Sequence, residues 1–418
     1  MQFEHVTCPH CGILCDDLSV EVSETTITPL SVNHALCKKA YEQASIPSDK
    51  LPTPQIDGKN TSLENAIKEA ASILKNASQP LISGLIADVQ TCREALALAE
   101  KAGGVIDHAN GPHMRANVAV LQRIGKVKTT LAEARNRSDN IIIFGAKVLD
   151  SFPRLLERVL MPNKTLGVEN TINKRITIID SNDQPDHGAF EHDNINYMRI
   201  DAPSLESIIE ALELTVHTTD EFAEHNPIVK ALLPVHQQIL DSQYTTLIWS
   251  TGLFERAYAE QTVQTITQSI KTLMKEVRCV GLPLGGSKAE ITASQVATWQ
   301  TGVPLPVSFM TGIPVHDPLL YNGAAMLENN EADALIWIST YSSDDVPPDT
   351  KIARVVLGHP GMQIPSNTSV FIPVGIPGID TRGLACRADS VATLPLHKLR
   401  DNGLPNACDV LNKMIEML

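Results

Sequence analysis

An excess of positive charge, a long apolar run and a dense cysteine framework are all missing from this chain of 418 residues, and each absence closes a functional class. With 34 Lys and Arg against 48 Asp and Glu the formal net charge is −14, which sets aside a nucleic-acid binder. No run of about 18 apolar residues occurs, so no membrane-spanning helix is expected. The first 20 residues lack a basic segment leading into an apolar one, and a cytoplasmic location is expected. Eight cysteines are too few for a disulfide scaffold of this size. Neither a short repeat nor a low-complexity tract is found. What remains is a globular composition, with 43% hydrophobic residues, enough for two or three packed domains.

Residues 1–57 read as a compact polar unit that closes in the loop-like stretch from Ser48 to Gly58, with Pro52 and Pro54. Beyond it, Thr61 and Glu64 form a capping box. Leu63, Ala66, Ile67, Ala70, Ala71 and Leu74 then follow along one helical face. The run Leu81-Ile82 stops at Ser83-Gly84, and a helical pattern restarts near Asp88, which is the grammar of a βαβ unit. It recurs at Val105-Ile106 before a helix near Met114 to Gln122, at Ile141 to Phe144 before Gly145 with a helix from about Ser151, and at Ile176 to Ile179 before Asp180. It returns at Leu247 to Trp249 before Ser250-Thr251-Gly252, at Cys279-Val280 before Gly281, and at Ala334 to Ile338 before Ser339. Short Ile and Val runs bounded by Gly or Asp are what a parallel sheet buried on both faces requires. The expected architecture is α/β: a small N-terminal Cys-rich domain (1–57), then two doubly wound parallel-sheet domains, 58–235 and 236–418. Ligand-facing loops are expected beyond the carboxyl ends of the strands.

Four of the eight cysteines fall at Cys8, Cys11, Cys15 and Cys37, a C-x2-C-x3-C-x21-C pattern. Three thiolates in one tight loop and a fourth from a distant turn suit a cubane iron–sulfur cluster, each iron taking one thiolate. Four thiolates also suit a tetrahedral zinc, and a mere cluster of thiols is the third alternative. His10 and His34 lie in the same segment as further candidate ligands, though a surface position is expected for each. Cys92, Cys279, Cys386 and Cys408 stand in apolar contexts and read as buried structural thiols.

The opening Cys8-Pro9-His10-Cys11-Gly12-Ile13-Leu14-Cys15-Asp16-Asp17 resembles the start of the B subunit of formylmethanofuran dehydrogenase, a relative of the molybdopterin-dependent formate dehydrogenases. The resemblance continues in order at Glu94 to Asp107, Gln295 to Gly302, Asn330 to Ala334, Ser369 to Gly375 and Gly383 to Arg387. It implies a molybdopterin oxidoreductase-like fold and a 4Fe-4S cluster on the four N-terminal cysteines. It also implies two α/β domains around a molybdenum- or tungsten-bearing pterin, whose metal is completed by a Cys or selenocysteine. The partner in that family is an amidohydrolase subunit with two zincs.

The chain departs from that pattern at the redox centre. In gapless register from Asp107 to Gln122, the family's metal-ligating Cys falls on His113, and imidazole is a different donor from a soft thiolate. A Gly-Cys-Asn-Pro type turn is replaced by Gly145-Ala146-Lys147-Val148, and an Asp-Pro-Arg by Asp180-Ser181-Asn182, losing a base suited to phosphate. The resemblance therefore implies a vestigial pterin pocket at Ser83, Gly84, Gly145, Thr251 and Gly252, with molybdopterin or tungstopterin absent. The expected function is that of a scaffold B subunit in a formyltransferase/hydrolase complex of methylotroph type. Its partners would be an amidohydrolase-type A subunit, a C subunit and a formyltransferase D subunit. The alternatives are an active molybdenum or tungsten dehydrogenase subunit with His113 as an unusual ligand, and, more weakly, an isolated iron–sulfur electron carrier.

Overall fold

The computed structural model describes residues 1–166, 174–182, 193–216, 225–285 and 289–418. In chain order its strands are β1 Gln2–Val6, β2 Leu18–Val22, β3 Ile27–Pro29, β4 Gln55–Ile56, β5 Lys59–Asn60, β6 Pro80–Ile86, β7 Val105–Ile106, β8 Asn140–Phe144 and β9 Arg175–Ser181. They continue as β10 Ile195–Ile200, β11 Thr245–Trp249, β12 Cys279–Pro283, β13 Val307–Ser308, β14 Ala334–Ser339, β15 Ala353–Gly358, β16 Val370–Pro373, β17 Gly383–Cys386 and β18 Thr393–Leu396. The chain forms two compact units, one of Met1–Gly111 with Ser287–Leu418 and one of Pro112–Gly286.

In the first unit, β1, β2 and β3 make a small antiparallel sheet beside the helix Ala35–Ala44, which together carry the Cys-rich segment. The chain then enters an eight-stranded sheet of order β13-β7-β6-β14-β15-β16-β4-β5. Its inner strands from β7 to β16 pair in parallel, and the edges pair antiparallel. From β6 the chain steps outward to β7, and after its return from the second unit it steps the other way through β14, β15 and β16. The order therefore reverses between β6 and β14, where an open α/β sheet leaves a crevice beyond its carboxyl ends.

The helix Leu63–Asn76 buries Ala66, Ile67, Ala70, Ala71 and Leu74, the face its spacing predicts. Its cap differs from expectation by one residue, because Ser62, not Thr61, accepts the Asn65 N–H. A second difference concerns Ser83-Gly84, expected to end a strand. The strand runs on to Ile86 through an irregularity in its pairing with β14, with Gly84 at φ 83° and Leu85 at φ 53°. A Cβ at Gly84 would lie 2.5 Å from the Ile338 carbonyl oxygen, so only glycine lets the two backbones approach here.

The second unit holds an all-parallel sheet of order β10-β9-β8-β11-β12. Every residue of β8, β11 and β12 is buried, as the Ile- and Val-rich runs predicted. Here the order reverses between β8 and β11. The helix expected from about Ser151 is instead a short helix, Lys147–Ser151, followed after a turn by Leu156–Leu160.

These units replace the boundaries at 57/58 and 235/236. β4 joins residues before 58 to the large sheet, and β14 to β16 from the C-terminal half complete it. A cut after 235 would fall inside the helix Pro227–Leu240, whose Val235 and Ile239 lie in the core of the second unit. Loop composition marks turns, and it carries no record of a chain that leaves a sheet and returns to it. Among the described residues, no helix is long and apolar enough to cross a membrane.

Candidate functional site

Each unit places functional candidates beyond the strands that flank its reversal point. In the first unit a cavity of about 240 Å³ has Cys8, His10, Cys11 and Cys37 on its wall, together with Ile86 at the end of β6 and Tyr341 just past β14. The Cys-rich segment thus lies over the crevice predicted for an open parallel sheet.

Cys8, Cys11, Cys15 and Cys37 are all buried. Burial raises the Cys8 thiol well above its ordinary pKa, and the neighbouring Cys11, Cys15 and Cys37 raise it further. Cys11 is pushed up to about 12, first by burial and then by Cys15 and Cys37. Acting the other way, the backbone N–H groups of His10 and Ile13 donate to the Cys8 and Cys11 sulfurs. The Tyr41 hydroxyl also hydrogen-bonds Cys8, and this tyrosine is buried, with its own ionisation suppressed by burial first and the cysteines second. A cationic metal centre among these thiols would remove the penalty on their thiolates, since coordination deprotonates a thiol.

As placed, no group of three or more His, Cys, Asp or Glu among the described residues stands ready to hold a metal ion. A cubane spreads its thiolates over separate irons, and buried thiols beside a cavity with N–H donors on their sulfurs fit that larger group.

His10 is half-buried rather than on the surface, with its Nε2 enclosed and unpartnered, and burial lowers its pKa to about 4. It meets Tyr41 and Tyr341 edge-on, at centroid distances of 5.6 and 6.4 Å. His34 is half-buried as well. Two residues that sequence reasoning missed complete the site. His359 directly follows β15 and accepts the Gly361 N–H at Nδ1, while its Nε2 is enclosed without a partner. The Tyr341 hydroxyl is likewise unpartnered. Burial pushes His359 down to about 3, with His10 as the next cause. The available signal was position, because both follow the carboxyl ends of parallel strands.

The second unit brings Gly145, Thr251 and His113 toward its own reversal point. Gly145 ends β8 with φ 88° and donates to the Ile179 carbonyl at 2.9 Å. Asp180, at the end of β9, accepts the Ala146 N–H at 3.1 Å and the Tyr197 hydroxyl at 3.0 Å. The buried Thr251 donates its hydroxyl to the His113 carbonyl at 2.8 Å, tying the first turn of the helix Gly111–Ile124 to the end of β11. Gly252 beside it is exposed. Ser83 and Gly84 lie within β6 of the first unit. Cys279 is the sole cysteine of this unit, and it opens β12 at the end away from the rim. This rim therefore offers no thiolate to a metal.

Of the other thiols, Cys92, Cys279 and Cys386 are buried as expected. Cys408 is half-exposed, because it sits in the first turn of the C-terminal helix Ala407–Met417, off the face that packs Ala407, Val410, Leu411 and Met414.

No family model matches the chain. Across 417 residues it is 25% identical to the B subunit of the tungsten-containing formylmethanofuran dehydrogenase 2 of Methanocaldococcus jannaschii, covering 95% of this chain and 93% of that one. It is 24% identical over 331 residues to the B subunit of the formyltransferase/hydrolase complex Fhc of Methylorubrum extorquens, covering 78% and 86%. Among solved structures it superposes on the formyltransferase/hydrolase complex FhcABCD of M. extorquens, crystallised with methylofuran. That match has a TM-score of 0.73 at 22% identity and covers 87% of this chain and 98% of that one. Acetylene hydratase from Pelobacter acetylenicus matches with a TM-score of 0.59 at 10% identity, over 99% of this chain and 69% of that one. The resemblance to the formylmethanofuran dehydrogenase B subunit thus holds over essentially the whole chain, and the fold is that of these two structures.

Proposed function

We propose that the chain is the B subunit of a multi-subunit complex of one-carbon metabolism that handles formyl groups on a methanofuran-like carrier. Within it the chain is a scaffold, and formyl transfer and hydrolysis are carried by an amidohydrolase-type A subunit and a formyltransferase D subunit, with a C subunit completing the assembly. Hydrolysis of an amide-like formyl group needs activated water and no redox centre, so a chain of this kind can be retained for its fold alone. The observation that carries this reading is the second unit's rim. Its strand-end groups are hydrogen-bonded within the unit and no thiol is present there, and in the gapless register with the family the metal-ligating cysteine would fall on His113.

In the first unit, Cys8, Cys11, Cys15 and Cys37 would hold a 4Fe-4S cluster, which supplies one-electron transfer when bound. The rival reading, a working molybdenum or tungsten dehydrogenase subunit, draws on the retained cysteines and on the likeness to tungsten-containing enzymes. Purification of the complex from its native host separates the two. Release of formate from the formylated carrier without an electron acceptor supports the scaffold reading. Dye-linked formate oxidation that is lost in His113→Ala would overturn it. Elution of the chain only as a free monomer would remove the complex altogether.

A further inference from the structure

The cavity beside the four thiols has a donor side, and its chemistry goes beyond the ligands themselves. Tyr41 belongs to the same helix, Ala35–Ala44, as Cys37, and its hydroxyl is hydrogen-bonded to the Cys8 sulfur. His10 sits between Cys8 and Cys11 in sequence and shares the cavity wall with both. Its Nε2 is enclosed and has no partner among the described residues, a condition that costs free energy unless something fills the cavity and accepts from it. The ring of Tyr41 meets that of His10 edge-on at 5.6 Å, so the two side chains pack against each other beside the thiol-bearing segment. Tyr341 lies on the same wall, but the groups that act on its ionisation besides burial are Asp88, Cys92 and Cys386, and none of the four thiols is among them.

We propose that Tyr41 and His10 are positioning residues that donate hydrogen bonds to the sulfur atoms of an iron–sulfur cluster held by Cys8, Cys11, Cys15 and Cys37, and that they raise its reduction potential. The inference rests on the cluster reading given above. Reduction adds negative charge to the cluster, and a donor aimed at sulfur stabilises the reduced form more than the oxidised one. Tyr41 acts through the Cys8 thiolate, and His10 acts through Nε2–H from the cavity wall.

The test uses the full chain, purified or reconstituted without oxygen, with iron and sulfide counted before an EPR-monitored redox titration. Tyr41→Phe and His10→Phe keep an aromatic ring and remove the donor. Each is expected to retain the iron and sulfide of the wild type and to move the midpoint to more negative potential, by roughly tenfold in the redox equilibrium, about 59 mV for one electron. Tyr341→Phe removes a hydroxyl whose ionisation is shaped by Asp88, Cys92 and Cys386 and by none of the four thiols, and a shift smaller than that of the other two variants is expected. An unchanged midpoint in both loaded variants overturns the inference while leaving the cluster reading intact. A variant that loses the cluster would assign that residue a structural role and overturn its role in tuning, with the other variant giving an independent result. Wild-type protein that takes up no iron would overturn the cluster reading and this inference with it.

Discussion

The two units solve the same topological problem and leave opposite kinds of crevice. Both carry a parallel sheet whose strand order reverses once, between β6 and β14 in the first unit and between β8 and β11 in the second. All six enclosed side-chain N or O atoms that lack a partner among the described residues belong to the first unit, and His10, Ser339, Tyr341 and His359 are four of them. At the second unit's reversal point Asp180, Tyr197, Ala146, Thr251 and the His113 carbonyl satisfy one another. Buried polar groups without partners are costly unless something occupies the space, so the two units differ in what their strand ends leave unsatisfied: enclosed polar atoms in the first, paired ones in the second.

The strongest way to break this comparison is to remove its chemistry. Cys8→Ser or Cys11→Ser is expected to abolish iron binding, whereas Cys279→Ser, which alters the second unit's only cysteine, is expected to leave it unchanged; iron and sulfide assays decide. Backbone strain gives the next largest effect. Gly84→Ala forces a Cβ onto a carbonyl oxygen at positive φ and should cost about 2–5 kcal/mol in denaturant unfolding. Gly145→Ala, also at positive φ, meets the movable side-chain ends of Leu253 and Leu205 rather than backbone and should cost about 1–3 kcal/mol. Equal losses at the two glycines would contradict this account of the β6–β14 approach.

Acid sharpens the contrast further. His359 ionises near 3 in the folded state and at 6.5 ordinarily. Above pH 6.5 both states are neutral, and as pH falls below 6.5 the unfolded chain takes up the proton first, so stability falls toward pH 3. His359→Gln should flatten the decline of stability between pH 6.5 and 4. An unchanged slope would show that this histidine does not control it. The smallest effects belong to the second unit's rim. Thr251→Val loses one hydrogen bond and should cost about 1 kcal/mol, and His113→Ala should leave carrier hydrolysis within a few-fold of wild type. A loss of hydrolysis in His113→Ala would place this rim in the reaction path.

The legible part of the fold was periodic. Ile141 to Phe144, Leu247 to Trp249 and Ala334 to Ile338 are buried parallel strands because a strand covered on both faces needs an unbroken apolar run. The N-terminal cysteine spacing is a local signal of the same kind, and the structure buries all four of its thiols. Two features stayed hidden because they are long-range. The first unit is assembled from both ends of the chain, and its site gains Tyr341 and His359 from loops more than 300 residues beyond Cys37. Gly84 was misread because a glycine that ends a strand and a glycine at a pairing irregularity within one look the same in sequence; the approach of Ile338 distinguishes them.

The most direct test is a joint assay of iron, acid-labile sulfide, molybdenum and tungsten on the complex purified without oxygen. The account predicts about four iron and four sulfide per chain, as a 4Fe-4S cluster requires, with neither molybdenum nor tungsten. Stoichiometric molybdenum or tungsten, or a preparation with neither iron nor sulfide, would contradict it.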